Sequence, residues 1–238
     1  MTLLVDLGNT RLKLAQCAGS GGLSEIHAIA HHGDPARAFA ALGAPAGMPA
    51  RIASVFEQAA NERFAEAIRT QHPQIHFVRS EASRNGLRNA YAEPHRLGVD
   101  RWLAMLALWT DTRGACCIVS AGTALTIDLV DSTGQHLGGY IAPGLITQQQ
   151  AVLGATRFEH RDTTAPYRNE PGRDTEGCVR EAALAAALGL IEHTTRSFEG
   201  QRVLIGGDAD TLRPHLNADW QTRPDLVLRG LAAVDIEP

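Results

Sequence analysis

Two six-residue stretches in this chain follow one pattern. Val5-Asp6-Leu7-Gly8-Asn9-Thr10 and Val119-Ser120-Ala121-Gly122-Thr123-Ala124 each lead from an apolar run through a small polar residue and an apolar one to a glycine and a threonine-containing turn. A second apolar run follows each turn, so each stretch predicts the tip of a β-hairpin. A hairpin repeated at the start of each half points to a duplicated fold with a cleft between the copies. At 238 residues the chain has room for two lobes, each within the usual domain size of about 100–150 residues. The division expected is residues 1–114 and 115–238.

Around those hairpins strands and helices mix, an α/β pattern. Strands are predicted over 3–7, 11–15, 51–55, 75–78, 116–120, 125–130, 137–143 and 202–205. Helices are predicted over 34–42, with Asp34 as cap and Pro35 in the first turn, and over 57–70, 100–109, 176–193 and 209–215. Gly19 to Gly22 reads as a turn, 80–98 and 157–172 as loops, and 226–234 as apolar residues gathered around Gly230.

Bulk properties narrow the function. The formal net charge is −4 and no run of Lys or Arg stands out, which argues against a nucleic-acid partner. The N-terminus lacks the basic and apolar regions of a secretory signal. No stretch reaches the roughly 20 apolar residues that span a bilayer, so no membrane role is expected. Of the four cysteines, Cys17, Cys116, Cys117 and Cys178, only two are adjacent and none has zinc-ligand spacing. Reduced thiols in a cytoplasmic protein follow.

The hairpin tips carry the first chemistry. Gly8 lets backbone approach a ligand, and successive N–H groups at such a turn form an anion-binding nest. Thr10 adds a hydroxyl, and Arg11 or Lys13, on one strand face, could reach a terminal phosphate. Asp6 would repel a phosphate but could hold Mg²⁺ through water. Gly122, Thr123 and Thr126 repeat these elements. An ordinary hairpin would show each motif alone; two such nests could grip a polyphosphate from opposite sides. Neither a Walker A loop nor a Rossmann fingerprint occurs. Gly206-Gly207, between a strand and a helix, suits either a flat ligand such as adenine or a plain turn.

Asp100 and Arg101 open an apolar helix, where a carboxylate or a bound anion is stabilised by the helix N-terminus. They read either as a capping Asp beside a surface Arg, or as a general base for an alcohol beside a binder of carboxylate or phosphoryl groups. The ten histidines lack HxxxH spacing and read as surface residues. Ser120 heads no GxSxG elbow.

Taken together, the motifs resemble those of type III pantothenate kinases. Residues 6–13 are similar to the family's DxGNTxxK loop, and Pro94-His95-Arg96-Leu97-Gly98-Val99-Asp100-Arg101 to its P-x-x-L-G-x-D-R motif. Residues 121–128 resemble its second phosphate motif, 138–144 its GGxIxPG, and Gly206-Gly207-Asp208 its adenosine-side glycines. The resemblance implies an acetate and sugar kinase/Hsp70/actin-like fold. That fold has two ribonuclease-H-like lobes with the active site in the cleft between them. It implies ATP and Mg²⁺, pantothenate as acceptor, a homodimer, and the first step of coenzyme A synthesis.

By that resemblance Asp100 matches the base. Asp6, Leu7, Gly8, Asn9, Thr10, Arg11, Leu12, Lys13 and Thr123 match ATP contacts. Tyr91, Gly98, Val99, Asp100, Arg101 and Thr175 match pantothenate contacts. The chain departs from the family at Ser120, where most members have the Asp that looks like the ligand for an activating K⁺ or NH₄⁺. The family also includes proteins named as accessory factors, so a regulatory binding protein is the alternative.

Overall fold

The first strand is buried on both faces, which explains why Leu3, Leu4, Val5 and Leu7 are apolar with only Asp6 among them. It is the centre of a five-stranded sheet in the computed structural model, which describes residues 1–18, 22–155 and 165–234. The chain divides into two compact units, residues 1–113 together with the segment from Asp225, and Gly114–Pro224.

In the first unit the elements run β1 (Thr2–Leu7), β2 (Arg11–Cys17), β3 (His27–Ala30), α1 (Pro35–Leu42), β4 (Ala50–Ser54), α2 (Gln58–Ile68), β5 (Ile75–Phe77), a short ribbon of β6 (Ser83–Arg84) and β7 (Leu87–Arg88), and α3 (Val99–Thr112). The second unit holds β8 (Cys116–Ala121), β9 (Ala124–Val130), β10 (His136–Pro143), α4 (Leu145–Ala155), α5 (Thr175–Thr195), β11 (Gln201–Ile205), α6 (Ala209–Leu212) and β12 (Trp220–Thr222). The chain then returns to the first unit with α7 (Leu226–Ala232).

The two sheets share one topology. Strand order is β3-β2-β1-β4-β5 in the first and β10-β9-β8-β11-β12 in the second. In each, the first three strands are antiparallel neighbours and the last two run parallel to the first. The repeated hairpin is therefore the visible edge of a repeat of whole sheets.

Local signals explain the helix bounds. Asp34 Oδ1 accepts from Arg37 N at 3.0 Å and Gly43 closes α1 in a left-handed conformation. Helix α3 is buried all round, with Val99 and every residue from Arg101 to Trp109 inside. It runs three residues past the predicted end at 109 and stops where Arg113 takes the left-handed φ of 51°.

The terminal stretch corrects the expected division. It was placed with residues 115–238, but α7 packs on α3 in the first unit. Leu226, Leu228 and Leu231 are buried there, and a β-carbon on Gly230 would strike the Leu103 carbonyl. Arg51 of β4 holds the end of this segment, donating to Val234 O at 2.6 Å and to Leu231 O at 3.4 Å. A cation at a helix C-terminus also meets the negative end of its dipole.

Strands β3 and β12, helix α4 and the β6–β7 ribbon inside the loop expected over 80–98 were not anticipated, and the apolar terminal stretch forms helix α7. The loop expected over 157–172 is free of helix and strand from 165 onward; residues 157–164, and 19–21 of the expected Gly19–Gly22 turn, lie outside the described residues.

Candidate active site

In the first hairpin Gly8 N donates to Arg11 O at 3.1 Å, closing a turn whose tip residues Asn9, Thr10 and Arg11 are exposed. Gly8 does not adopt a left-handed φ, and a β-carbon there would make only ordinary contact, 3.4 Å from Arg11 O. Gly122, at the matching tip, would have nothing within 4 Å of a β-carbon. Neither glycine is needed by its own fold, yet glycine costs the chain conformational entropy. What both supply is open backbone at a turn.

Leu7 and Leu12, in the stretch matched to ATP contacts, have side chains in the hydrophobic core. Only their backbone can serve a ligand. Asp6 and Lys13 face each other in the β1–β2 register. Asp6 is 9% exposed, and burial pushes its carboxyl up to about 6. Lys13 opposes that rise and the charge of Asp100 adds to it. The first unit thus brings Asp6, Lys13 and Asp100 into one electrostatic neighbourhood.

Asp100 lies in the first turn of α3, behind the cap residue Gly98. A β-carbon on Gly98 would stand 2.7 Å from Asp100 Oδ1, so the carboxylate folds back over the helix start because that position has no side chain. Arg101 is not the surface residue the capping alternative supposed: it is 7% exposed, with Nη1 donating to Tyr91 Oη at 3.2 Å and its guanidinium over the Tyr91 ring. Tyr91 is held in turn, its N–H donating to Asn89 Oδ1 at 2.9 Å, while Asn89 Nδ2 donates to Glu81 O at 3.1 Å. Ser80 Oγ donates to Leu97 O at 2.8 Å and fixes the entry to Gly98. Val99 is buried and can offer a ligand only backbone.

The second unit places the remaining residues. Thr123 is exposed, and its carbonyl accepts from Gly144 N at 3.0 Å and Thr147 Oγ1 at 2.7 Å. A β-carbon on Gly144 would strike Gly122 O, so the 138–144 motif ends against the second hairpin tip. Gly206, with φ of 97°, rests on Ala121 in a space too small for a β-carbon, which makes the plain-turn alternative the better account of that glycine. Ser120 is half-buried and opposite Thr126 in the β8–β9 register. Thr175 is exposed in the first turn of α5, whose cap Asp174 accepts from Gly177 N at 2.6 Å. Among the described residues no group of three or more His, Cys, Asp or Glu side chains could hold a metal.

A model described as type III pantothenate kinase matches residues 2–197. A type III pantothenate kinase of Cellvibrio japonicus is 38% identical over 242 residues, covering 97% of this chain and 95% of that protein. The chain belongs to the type III pantothenate kinase family.

Solved structures extend the likeness to the fold. A Campylobacter jejuni protein described as a Baf family transcriptional activator aligns with a TM-score of 0.64 at 19% identity, covering 96% of this chain and 94% of that one. A Sinorhizobium meliloti protein described as a 2-dehydro-3-deoxygalactonokinase aligns with a TM-score of 0.59 at 14% identity, covering 98% and 95%. At such identities the likeness is of fold alone. With the paired sheets it places this type III pantothenate kinase in the acetate and sugar kinase/Hsp70/actin-like class.

Some residues at the kinase motifs escaped sequence reasoning. The histidines were expected at the surface, yet His31, His72 and His136 are 6%, 0% and 1% exposed. His136 Nε2 lies 3.0 Å from the buried Asp128 of the second phosphate motif. His31 contacts the first hairpin. The signal was faint: His31 directly follows an unpredicted strand, and His136 stands one residue before the strand predicted over 137–143.

Proposed function

We propose that Asp100 is the general base of the reaction this family performs, the ATP-dependent phosphorylation of pantothenate to 4′-phosphopantothenate that opens coenzyme A synthesis. As a member of the family the chain is an ATP-dependent pantothenate kinase. The observation that carries the assignment to Asp100 is its placement: a carboxylate at a helix N-terminus, seated in the space that a side chain at Gly98 would need, and within electrostatic reach of Asp6 at the first phosphate hairpin.

The chemistry follows from those positions. The pantothenate hydroxyl donates its proton to an Asp100 oxygen as its oxygen bonds to the γ-phosphorus of ATP, and the bond from that phosphorus to the β,γ-bridging oxygen breaks to release ADP. The N-terminal end of the helix dipole favours negative charge at this position. The buried Arg101 offers a planar fork suited to the pantothenate carboxylate, and Tyr91 orients that fork. The Asn9 N–H, with Lys13 and Arg11, binds phosphate oxygens, and Thr123 is a further ATP contact in this reading. Thr175 completes the pantothenate contacts in this reading.

Asp6 fits Mg²⁺. Burial makes its ionisation harder, Lys13 opposes that only in part and Asp100 adds to it, so a cation is what the local field lacks. When bound, Mg²⁺ neutralises charge on the phosphates. Asp6 would hold it through water.

A homodimer belongs to the same reading. Edge strand β10 and its neighbour α4 expose Leu137, Tyr140, Ile141, Ile146 and Val152, an apolar face that a second copy would cover. A cytoplasmic location is part of it as well. Its four cysteines are free thiols, the state that compartment maintains. Ser120 supplies a neutral oxygen where the family has a carboxylate, so a weakened or altered K⁺ or NH₄⁺ site is proposed.

The test is turnover of purified protein with pantothenate and ATP. Asp100→Asn should lower kcat by roughly 100- to 10,000-fold. Near-normal turnover of that variant would remove Asp100 from the chemistry.

A further inference from the structure

We propose that His31 is a positioning residue for ATP: it holds the carbonyl side of the first phosphate hairpin so that the amide side faces the nucleotide. The proposal rests on the reading that this hairpin binds ATP.

His31 is 6% exposed, just past β3. Its ring is held at both nitrogens. Gly33 N donates to Nδ1 at 3.2 Å, and Nε2 lies 3.0 Å from Gly8 O. A backbone N–H can only donate and a carbonyl can only accept, which fixes the tautomer. Nδ1 carries the lone pair, and Nε2 carries the proton and donates to Gly8. The main chain of His31 grips the same turn, its N–H donating to Thr10 O at 3.1 Å, while its carbonyl accepts from Asp34 N at 2.7 Å at the cap of α1. Phe56 stands edge-on to the imidazole at 5.6 Å and holds the ring plane.

These contacts have a consequence through peptide geometry. A trans peptide is planar, so its N–H points opposite to its C=O. The Gly8 carbonyl shares its peptide with Asn9 N–H, and the Thr10 carbonyl with Arg11 N–H. Drawing the Gly8 carbonyl toward His31 turns the Asn9 N–H the other way, while Arg11, whose own carbonyl accepts from Gly8 N, keeps its N–H on the β1 side. A binding nest needs its donors fixed before the anion arrives. His72 and His136 are also buried, but they bond Met48 O and Asp128. Only His31, among the three, contacts the hairpin tip.

The experiment compares His31→Leu, which removes the donor, with His31→Gln, whose amide can still donate. His31→Leu should raise KM for ATP roughly tenfold, the size expected when one buried carbonyl loses its partner. KM for pantothenate should stay within about twofold, and His31→Gln should recover most of the ATP affinity. Lys13→Ala is measured alongside. If it weakens ATP binding while His31→Leu does not, the hairpin reading stands and the His31 proposal fails. If neither variant affects ATP, the hairpin reading itself fails. Equal losses for ATP and pantothenate, tracking a lower melting temperature, would assign His31 to general stability and overturn the proposal.

Nitrogen NMR of the parent imidazoles, with His31→Gln to assign the signal, needs no folded Leu variant. A neutral ring protonated at Nε2 at pH 8 is expected. An Nδ1–H tautomer or an imidazolium there would overturn the proposal.

Discussion

Oδ1 of Asp100 stands 2.7 Å from the point a β-carbon would occupy on Gly98. Real β-carbons do not sit so close to an oxygen, so the pair works only with glycine at the cap. Here glycine is kept for space; its φ of −53° is open to any residue.

Gly98→Ala therefore tests the position of the base separately from its identity. The methyl must displace the Asp100 carboxylate, and a shift of about 1 Å can cost on the order of 100-fold in rate. Stability should fall by only about 1 kcal/mol, since Ala is a poorer cap than Gly, which shifts the melting temperature by roughly 2–4 °C in a chain of this size. The expected result is a kcat reduced roughly 10- to 100-fold with a melting temperature near that of the parent. Parent-like turnover would show that the carboxylate can work from elsewhere.

Asp6 gives a prediction in pH. Burial raises its carboxyl from 3.8 to about 6 in the folded protein. A group with a raised folded-state value favours the protonated form on folding, so its contribution to stability is complete below pH ~4 and is lost as pH rises through ~6. The loss across that window is roughly 3 kcal/mol. Asp6→Asn, neutral throughout, should melt above the ligand-free parent at pH 7.5 and converge with it toward pH 4. The same variant should lose most of its kinase activity, since Mg²⁺ would have no carboxylate at that place. Parallel melting curves across the whole pH range would contradict the shift.

How far these features could be foreseen depends on what each residue displays in the chain. The hairpins were legible because Gly8 and Gly122 interrupt apolar runs at matching places, and α1 because Asp34, Pro35 and Gly43 mark its ends. Helix α4 was hidden by its own core: the buried stripe is Leu145, Gln149 and Leu153. Its central member is polar, satisfied by Gln149 Nε2 donating to Tyr167 Oη at 2.8 Å. Strand β3 has no buried residue to produce alternation. The return of α7 to the first unit depends on Gly230 against Leu103, a contact between positions far apart in sequence. At the site, Asp100 was legible from its helix start. The burial of Arg101 was not, because it depends on Tyr91 and the loop that Asn89 and Ser80 secure.

The departure at Ser120 can be tested by reversing it. A carboxylate attracts a monovalent cation that a hydroxyl holds only weakly, and a half-buried carboxylate without a cation is costly. Ser120→Asp should then do two things together. Without K⁺ or NH₄⁺ it should melt lower than the parent, because the new charge lies beside the β8–β9 ladder opposite Thr126. On adding K⁺ it should regain stability by mass action and show a steeper gain in turnover than the parent. The measurements are melting temperature and kcat against K⁺ concentration, with Na⁺ at equal ionic strength as the control. If the parent already responds to K⁺ as steeply as Ser120→Asp does, the neutral oxygen suffices and the charge at this position is not what recruits the cation.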